Sequence, residues 1–280
     1  PVVITVSQFD NAAGDKGRGT YTGNKEYYVS GGGEGGVDGH SYTRKLRVLA
    51  VEGFNKEEDA DNYDAEHTLT IQANNGDKPR IEHMLIRKSR NVKLKGLSIF
   101  SREDNNGKTK DTALEIDEGR FNNWQDAYCD FFDANIVVEE CIIGSNGFTG
   151  VHVNSYSGLT FKYCTFNLSV EDFSDNARDY GASAKFFECR NIKFIQNNFW
   201  GGHSTLLWLQ QTKNALFYNN VFWNTNEYSG SCQAVRVYNQ SYSGKTQCDS
   251  IAVIYNTFYL ADNVKNSGSY SFIYFGGVKE

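Results

Sequence analysis

A short pattern recurs six times from Asn91 onward, and it constrains the fold more than any other feature of the sequence. It reads Asn, Ser or Gly, then apolar, any, apolar, any, any, then Asn or Cys in five of the six copies, followed within two residues by an apolar one. The copies are NVKLKGLSI from Asn91, NIVVEECII from Asn135, GLTFKYCTF from Gly158, NIKFIQNNF from Asn191, NALFYNNVF from Asn214 and SIAVIYNTF from Ser250. Their starts lie 44, 23, 33, 23 and 36 residues apart, so the shortest unit is 23 and the longer ones read as that unit with loops added. Irregular insertion into a fixed repeat is the arithmetic of a solenoid, in which each unit stacks on its neighbours.

Six residues after each start stand Leu97, Cys141, Cys164, Asn197, Asn220 and Asn256. If each repeat is one coil, these residues lie above one another about 4.8 Å apart, and an inward Asn can satisfy turn backbone groups from rung to rung. Leu97 departs from the ladder. Upstream of the starts sit short alternating segments, LEID (114–117), VHVN (151–154), AKFF (184–187), LWLQ (207–210) and VRVY (235–238), so each coil contributes at least two strands and a turn, with a third short strand after the Asn. Composition agrees: 19 Phe, 17 Tyr and 4 Trp suit pleated half-buried surfaces, and 27 Gly serve turns. The fold class expected is all-β.

The stacked Asn turn over residues 80–280 resembles the right-handed parallel β-helix of the pectate-lyase-like superfamily. The resemblance implies a single-stranded right-handed parallel β-helix over residues 46–280. Residues 1–45, with the glycine-rich GGGEGGVDG (31–39), then form a short N-terminal capping segment, and NKEEDADNYDAE (55–66) forms an acidic loop. The superfamily holds lyases, hydrolases, epimerases, tailspikes and adhesins, so function must be argued from a site.

In that superfamily sugar chains usually lie along the strand that precedes the turn into the Asn strand. Counting six residues back from Gly158, Asn191 and Asn214 gives His152, Lys185 and Trp208; alternation adds Glu115 and Arg236, with Tyr274 as a sixth member. A carboxylate, an imidazole, an amine, an indole and a guanidinium in sequence suit an anionic sugar. β-Elimination on a uronate needs a base for the C5 proton and a cation for the carboxylate as it gains enolate character. Lys185 or His152 is the candidate base, Arg236 the candidate cation and Trp208 a platform for a pyranose face. The superfamily's lyases often use Lys or Arg as base.

Two other functions compete. Glu115 and Asp117, two residues apart on one strand and both outward, are spaced by about 6.5–7 Å, near the separation an inverting glycosidase needs. A non-catalytic glycan-binding, adhesive or structural module, or a subunit of a larger assembly, also fits a solvated outer row of charges. A net charge of −6 weighs against a general nucleic-acid binder, and no apolar run reaches membrane-spanning length. The expected partner is an acidic polysaccharide.

Segments 118–134 and 167–183 are candidate walls of a groove, and His203 is a turn residue near its rim. Glu171, Asp172, Asp175 and Asp179 offer hard oxygen ligands for Ca2+ without matching a defined loop, so the metal stays open. In the basic run 78–96, Lys93 and Lys95 read as solubilising residues. Of six cysteines, Cys141 and Cys164 are expected to stack as thiols, Cys189 and Cys248 stand two coils apart, and Cys129 and Cys232 lie in or beside loops. Pro1 opens on VVITVSQFD without a secretory leader, which reads as a mature or trimmed chain outside the cytoplasm. SFIYFGGVKE (271–280) reads as the first strand of a further coil, expected to be covered by a protein partner or a missing segment.

Overall fold

The computed structural model describes residues 2–6, 19–22, 26–28, 46–49, 69–73, 80–87, 91–101, 112–117, 133–146, 150–169, 182–201, 205–224, 232–239, 248–260 and 270–276. The stretches 31–39 and 55–66, most of the candidate walls 118–134 and 167–183, the acidic residues Glu171, Asp172, Asp175 and Asp179, and His203 and Cys129 lie outside the described residues. The side chains of Asp117 and Cys232 do as well.

The chain winds as a right-handed parallel β-helix with three sheets. The first sheet stacks Gly19–Thr22, Leu46–Leu49, Met84–Arg87, Leu114–Asp117, Val151–Asn154, Ala182–Phe187, Thr205–Gln210, Cys232–Tyr238 and Tyr270–Gly276 in chain order. The second holds Val2–Val6, Leu69–Ala73, Val92–Lys95, Ile136–Glu139, Ser157–Lys162, Arg190–Ile195, Lys213–Tyr218 and Asp249–Ile254. The third holds Arg80–Glu82, Ser98–Phe100, Ile142–Asn146, Thr165–Ser169, Asn198–Gly201, Val221–Asn224 and Thr257–Leu260. Each coil passes first, second, third, and each strand pairs in parallel with its counterpart one coil away. One pairing among the described strands is antiparallel, Glu26–Tyr28 against Gly19–Thr22, at the outer edge of the first sheet. Residues 1–45 thus add Val2–Val6 to the second sheet and two strands to the first. At the opposite edge Tyr270–Gly276 is the outermost strand of the first sheet.

The repeat has a conformational cause. Its first residue has positive φ in all six copies: Asn91, Asn135, Gly158, Asn191, Asn214 and Ser250. Asn and Gly tolerate this left-handed region best, which explains why the position recurs as a small or amide residue. Five residues on, Gly96, Glu140, Tyr163, Gln196, Asn219 and Tyr255 are also left-handed, at a cost of about 1 kcal/mol for each L residue. Continuing the ladder across the bend offsets this cost. The Glu140, Tyr163, Gln196 and Asn219 amides donate to the Lys162, Ile195, Tyr218 and Ile254 carbonyls of the next rung at 2.9–3.1 Å.

Immediately after that bend the expected ladder forms. Asn197 Oδ1 accepts from the Cys164 amide at 2.9 Å, Asn220 Oδ1 from the Asn197 amide at 2.9 Å, and Asn256 Oδ1 from the Asn220 amide at 2.8 Å. Their Nδ2 groups donate to the Phe161, Phe194 and Phe217 carbonyls, all at 2.9 Å. The Cys164 thiol takes the same donor role toward the Val138 carbonyl at 3.4 Å. Cys141, Cys164 and Cys189 are buried thiols, and Cys248 is a half-buried one. Burial pushes the Cys141 thiol up to about 12 and Cys164 higher still. Inside, aromatic rings repeat this stacking: Phe166, Phe199, Phe222 and Phe258 form one column at 4.3, 4.7 and 5.0 Å between centroids. Phe161, Phe194 and Phe217 form another.

Candidate functional site

Alternation decides which side chains of the first sheet face outward. Val151, Val153, Ala184, Phe186, Leu207, Leu209 and Val235 are fully buried, so the residues between them project away from the core. The register then pairs Glu115 with His152, His152 with Lys185, Lys185 with Trp208, Trp208 with Arg236 and Arg236 with Tyr274. All six stand on one row, in the order expected, about 4.8 Å per step. Asp117 belongs to a neighbouring outward row that continues through Asn154, Phe187, Gln210 and Tyr238.

The two rows close over each other. Lys185 Nζ lies 4.4 Å from the Trp208 ring centroid, one rung on, and 4.5 Å from that of Phe187 on its own strand. Arg236 approaches Trp208 from the following rung, Cζ to centroid 4.3 Å, and also sits 5.0 Å from Tyr238 and 5.7 Å from Tyr274. His152 meets Phe187 edge to face, with ring centroids 5.4 Å apart. Between rings Lys185 is only 8% exposed. Burial, and secondarily the Arg236 charge, draw its amine down to about 8. Trp208 Nε1 and Arg236 Nε are buried donors without a hydrogen-bond partner.

The surroundings of Trp208 bear on the platform role expected for it. A half-buried indole already engaged by cations from both neighbouring rungs is a clamp for Lys185 and Arg236; stacking on a sugar requires one of them to move away. Phe187 and Tyr238, which help form the aromatic surround, were missed by an expectation that followed one outward row. Their signal was present two residues after Lys185 and Arg236 on the same strands.

A second charged cluster lies on the second sheet. Glu139 forms ion pairs with Lys93 at 2.7 Å and Lys162 at 3.2 Å, with Lys95 at 3.6 Å. The Lys93 hydrogen bond, joined by Lys162, holds its carboxyl at about 2 against the opposing effect of burial. Lys93 and Lys95 therefore neutralise a nearly buried carboxylate in addition to wetting the surface. Among the described residues no group of three or more His, Cys, Asp or Glu comes together as a metal site, and no helix is long and apolar enough to cross a membrane.

The family model described as "Right handed beta helix region" matches residues 107–273. A search of the curated proteins finds no match. Among solved structures, the enzymatically active domain of bacteriophage CBA120 tailspike protein 2 aligns at 9% identity and a TM-score of 0.34, over 83% of this chain and 41% of that one.

Proposed function

Because the chain belongs to the right-handed β-helix family, whose winding fixes positions and leaves the chemistry to the outward rows, we propose that the first-sheet row is a carbohydrate-active site performing β-elimination on an acidic, uronate-containing glycan. The observation that carries this reading is Lys185, a nearly buried amine whose proton is held weakly beside Arg236. An amine near 8 is roughly one-tenth free base at pH 7 and mostly free base at pH 9, within the range of a working general base.

In this mechanism the Lys185 amine takes the C5 proton of a uronate residue. The released electron pair forms the C4–C5 double bond as the C4–O bond breaks, and the departing oxygen takes a proton from water, with His152 on the adjacent rung beside the reacting unit. Arg236 stabilises the carboxylate as negative charge moves onto it. The unpaired Trp208 Nε1 and Arg236 Nε support an acceptor-rich ligand at this end of the row. The substrate implies an extracytoplasmic location, and no step needs a metal.

Incubation with polygalacturonate, alginate and hyaluronan tests the reading through the ultraviolet absorbance of the new double bond. Lys185→Ala is expected to lower turnover by about 10²–10⁴-fold. If no polymer gives unsaturated ends, the lyase reading fails. Retained affinity for such polymers without turnover would favour the non-catalytic glycan-binding reading, to which the engagement of Trp208 by two cations lends support.

A further inference from the structure

The repeat extends one position beyond its inward Phe. Nine residues after the starts at Asn191, Asn214 and Ser250 stand Trp200, Trp223 and Tyr259, in the segments NFW, VFW and TFY of the third sheet. Register pairs Asn167 with Trp200, Trp200 with Trp223 and Trp223 with Tyr259, so these form one outward row on a sheet different from that of Lys185. The rings are 40%, 49% and 46% exposed, on three successive rungs. Trp223 and Tyr259 meet at right angles with centroids 5.4 Å apart.

We propose that this row is a second glycan-binding face, which takes an uncharged polysaccharide along the helix axis by stacking pyranose rings on Trp200, Trp223 and Tyr259. Three features point to a sugar. The inward neighbours on the same strands, Phe199, Phe222 and Phe258, are stacked nearly parallel, so the outward rings stand on a rigid floor and lose little freedom on binding. The parallel outward row carries Thr165, Asn198, Val221 and Thr257, which puts hydrogen-bonding groups beside the rings, and Asn167 Oδ1 at the row's end is a buried acceptor without a partner. A pyranose presents the complementary mixture of an apolar face and hydroxyl edges.

Charge sets the class. From Ser98–Phe100 to Thr257–Leu260 the described outward side chains of the third sheet are Ser98, Phe100, Ile142, Thr165, Asn167, Asn198, Trp200, Val221, Trp223, Thr257 and Tyr259, none of them Asp, Glu, Lys, Arg or His. The first-sheet row is cationic, whereas the described side chains of this row carry no charge. The rung spacing of about 4.8 Å is comparable to the length of one sugar unit, so a chain along the axis passes one ring per unit, turning between Trp223 and Tyr259, whose rings stand at right angles.

The test is affinity electrophoresis of the whole chain in gels containing hydroxyethylcellulose, xylan or galactomannan, with polygalacturonate as the charged control. At least one neutral polymer is expected to retard the protein. The W200A/W223A double variant should lose that retardation at least tenfold while keeping the wild-type circular dichroism and melting temperature, and Tyr259→Ala should lose part of it. Lys185→Ala should be retarded like the wild type, which separates this face from the first-sheet site and leaves the inference standing if the lyase reading fails. Absence of retardation by all three neutral polymers overturns the proposal. So does retardation unchanged in the double variant, or a double variant whose only change is lost self-association in sedimentation, which would make the row an interface between copies.

Discussion

Lys185 and Arg236 approach one indole from successive rungs on either side, with Nζ 4.4 Å and Cζ 4.3 Å from the Trp208 centroid. The ring faces favour both cations, yet burial and mutual repulsion outweigh this at Lys185 and leave its amine lowered. The arrangement places two positive charges on either side of one indole.

The lysine should therefore titrate near 8. Selective carbon-13 labelling of lysine Cε, read by NMR between pH 6 and 11, is expected to give one resonance with that midpoint. Arg236→Ala removes the repulsion and should move the midpoint upward, toward 10.5.

The same burial makes Lys185 a cost to folding at neutral pH. Its folded pKa lies below the unfolded value of 10.5, so the unfolded chain binds more protons between about 8 and 10.5, and the contribution of this group to stability rises with pH across that window. Lys185→Met is expected to melt at a higher temperature than the wild type at pH 7, with the difference shrinking as pH approaches 10.5. An equal gain at both pH values would contradict the assignment.

Glu139 has the opposite sign. Its folded carboxyl titrates near 2 against 4.5 unfolded, so its ion pairs contribute fully above pH 4.5 and fade as pH falls toward 2. Lys93 and Lys162 are about one-third exposed, so the contribution is put at about 1 kcal/mol. Urea titrations of Glu139→Gln and wild type should differ by that amount at pH 6 and converge near pH 2.

Asn220 is the central member of its ladder. Replacing it with Ala leaves the buried Asn197 amide and Phe194 carbonyl without their side-chain partner, and chemical denaturation should register a loss of about 2–4 kcal/mol. Leu97 occupies the equivalent turn without an amide, so Leu97→Ala is expected to lose cavity energy only.

Much of this geometry could be read from the chain because two periodicities carry it. The 23-residue unit fixed which segments stack, and alternation within VHVN, AKFF and LWLQ fixed which of His152, Val153, Lys185, Phe186, Trp208 and Leu209 face out. Register does not say where a long side chain leans once outside. The turn of Lys185 toward Phe187 and Trp208, rather than into solvent, depends on packing between rows that the repeat leaves free. The second left-handed position was hidden for a related reason: Glu140, Tyr163, Gln196, Asn219 and Tyr255 share a backbone angle and no side-chain chemistry.

The passages from the third sheet back to the first differ widely in length, as 202–204 and 170–181 illustrate, yet His152 still meets Lys185 and Phe199 still covers Phe222. A winding indifferent to these inserts divides the chain into parts under separate selection. Segments between the third and first sheets can be exchanged, lengthened or grafted one storey at a time, while the outward rows keep their spacing.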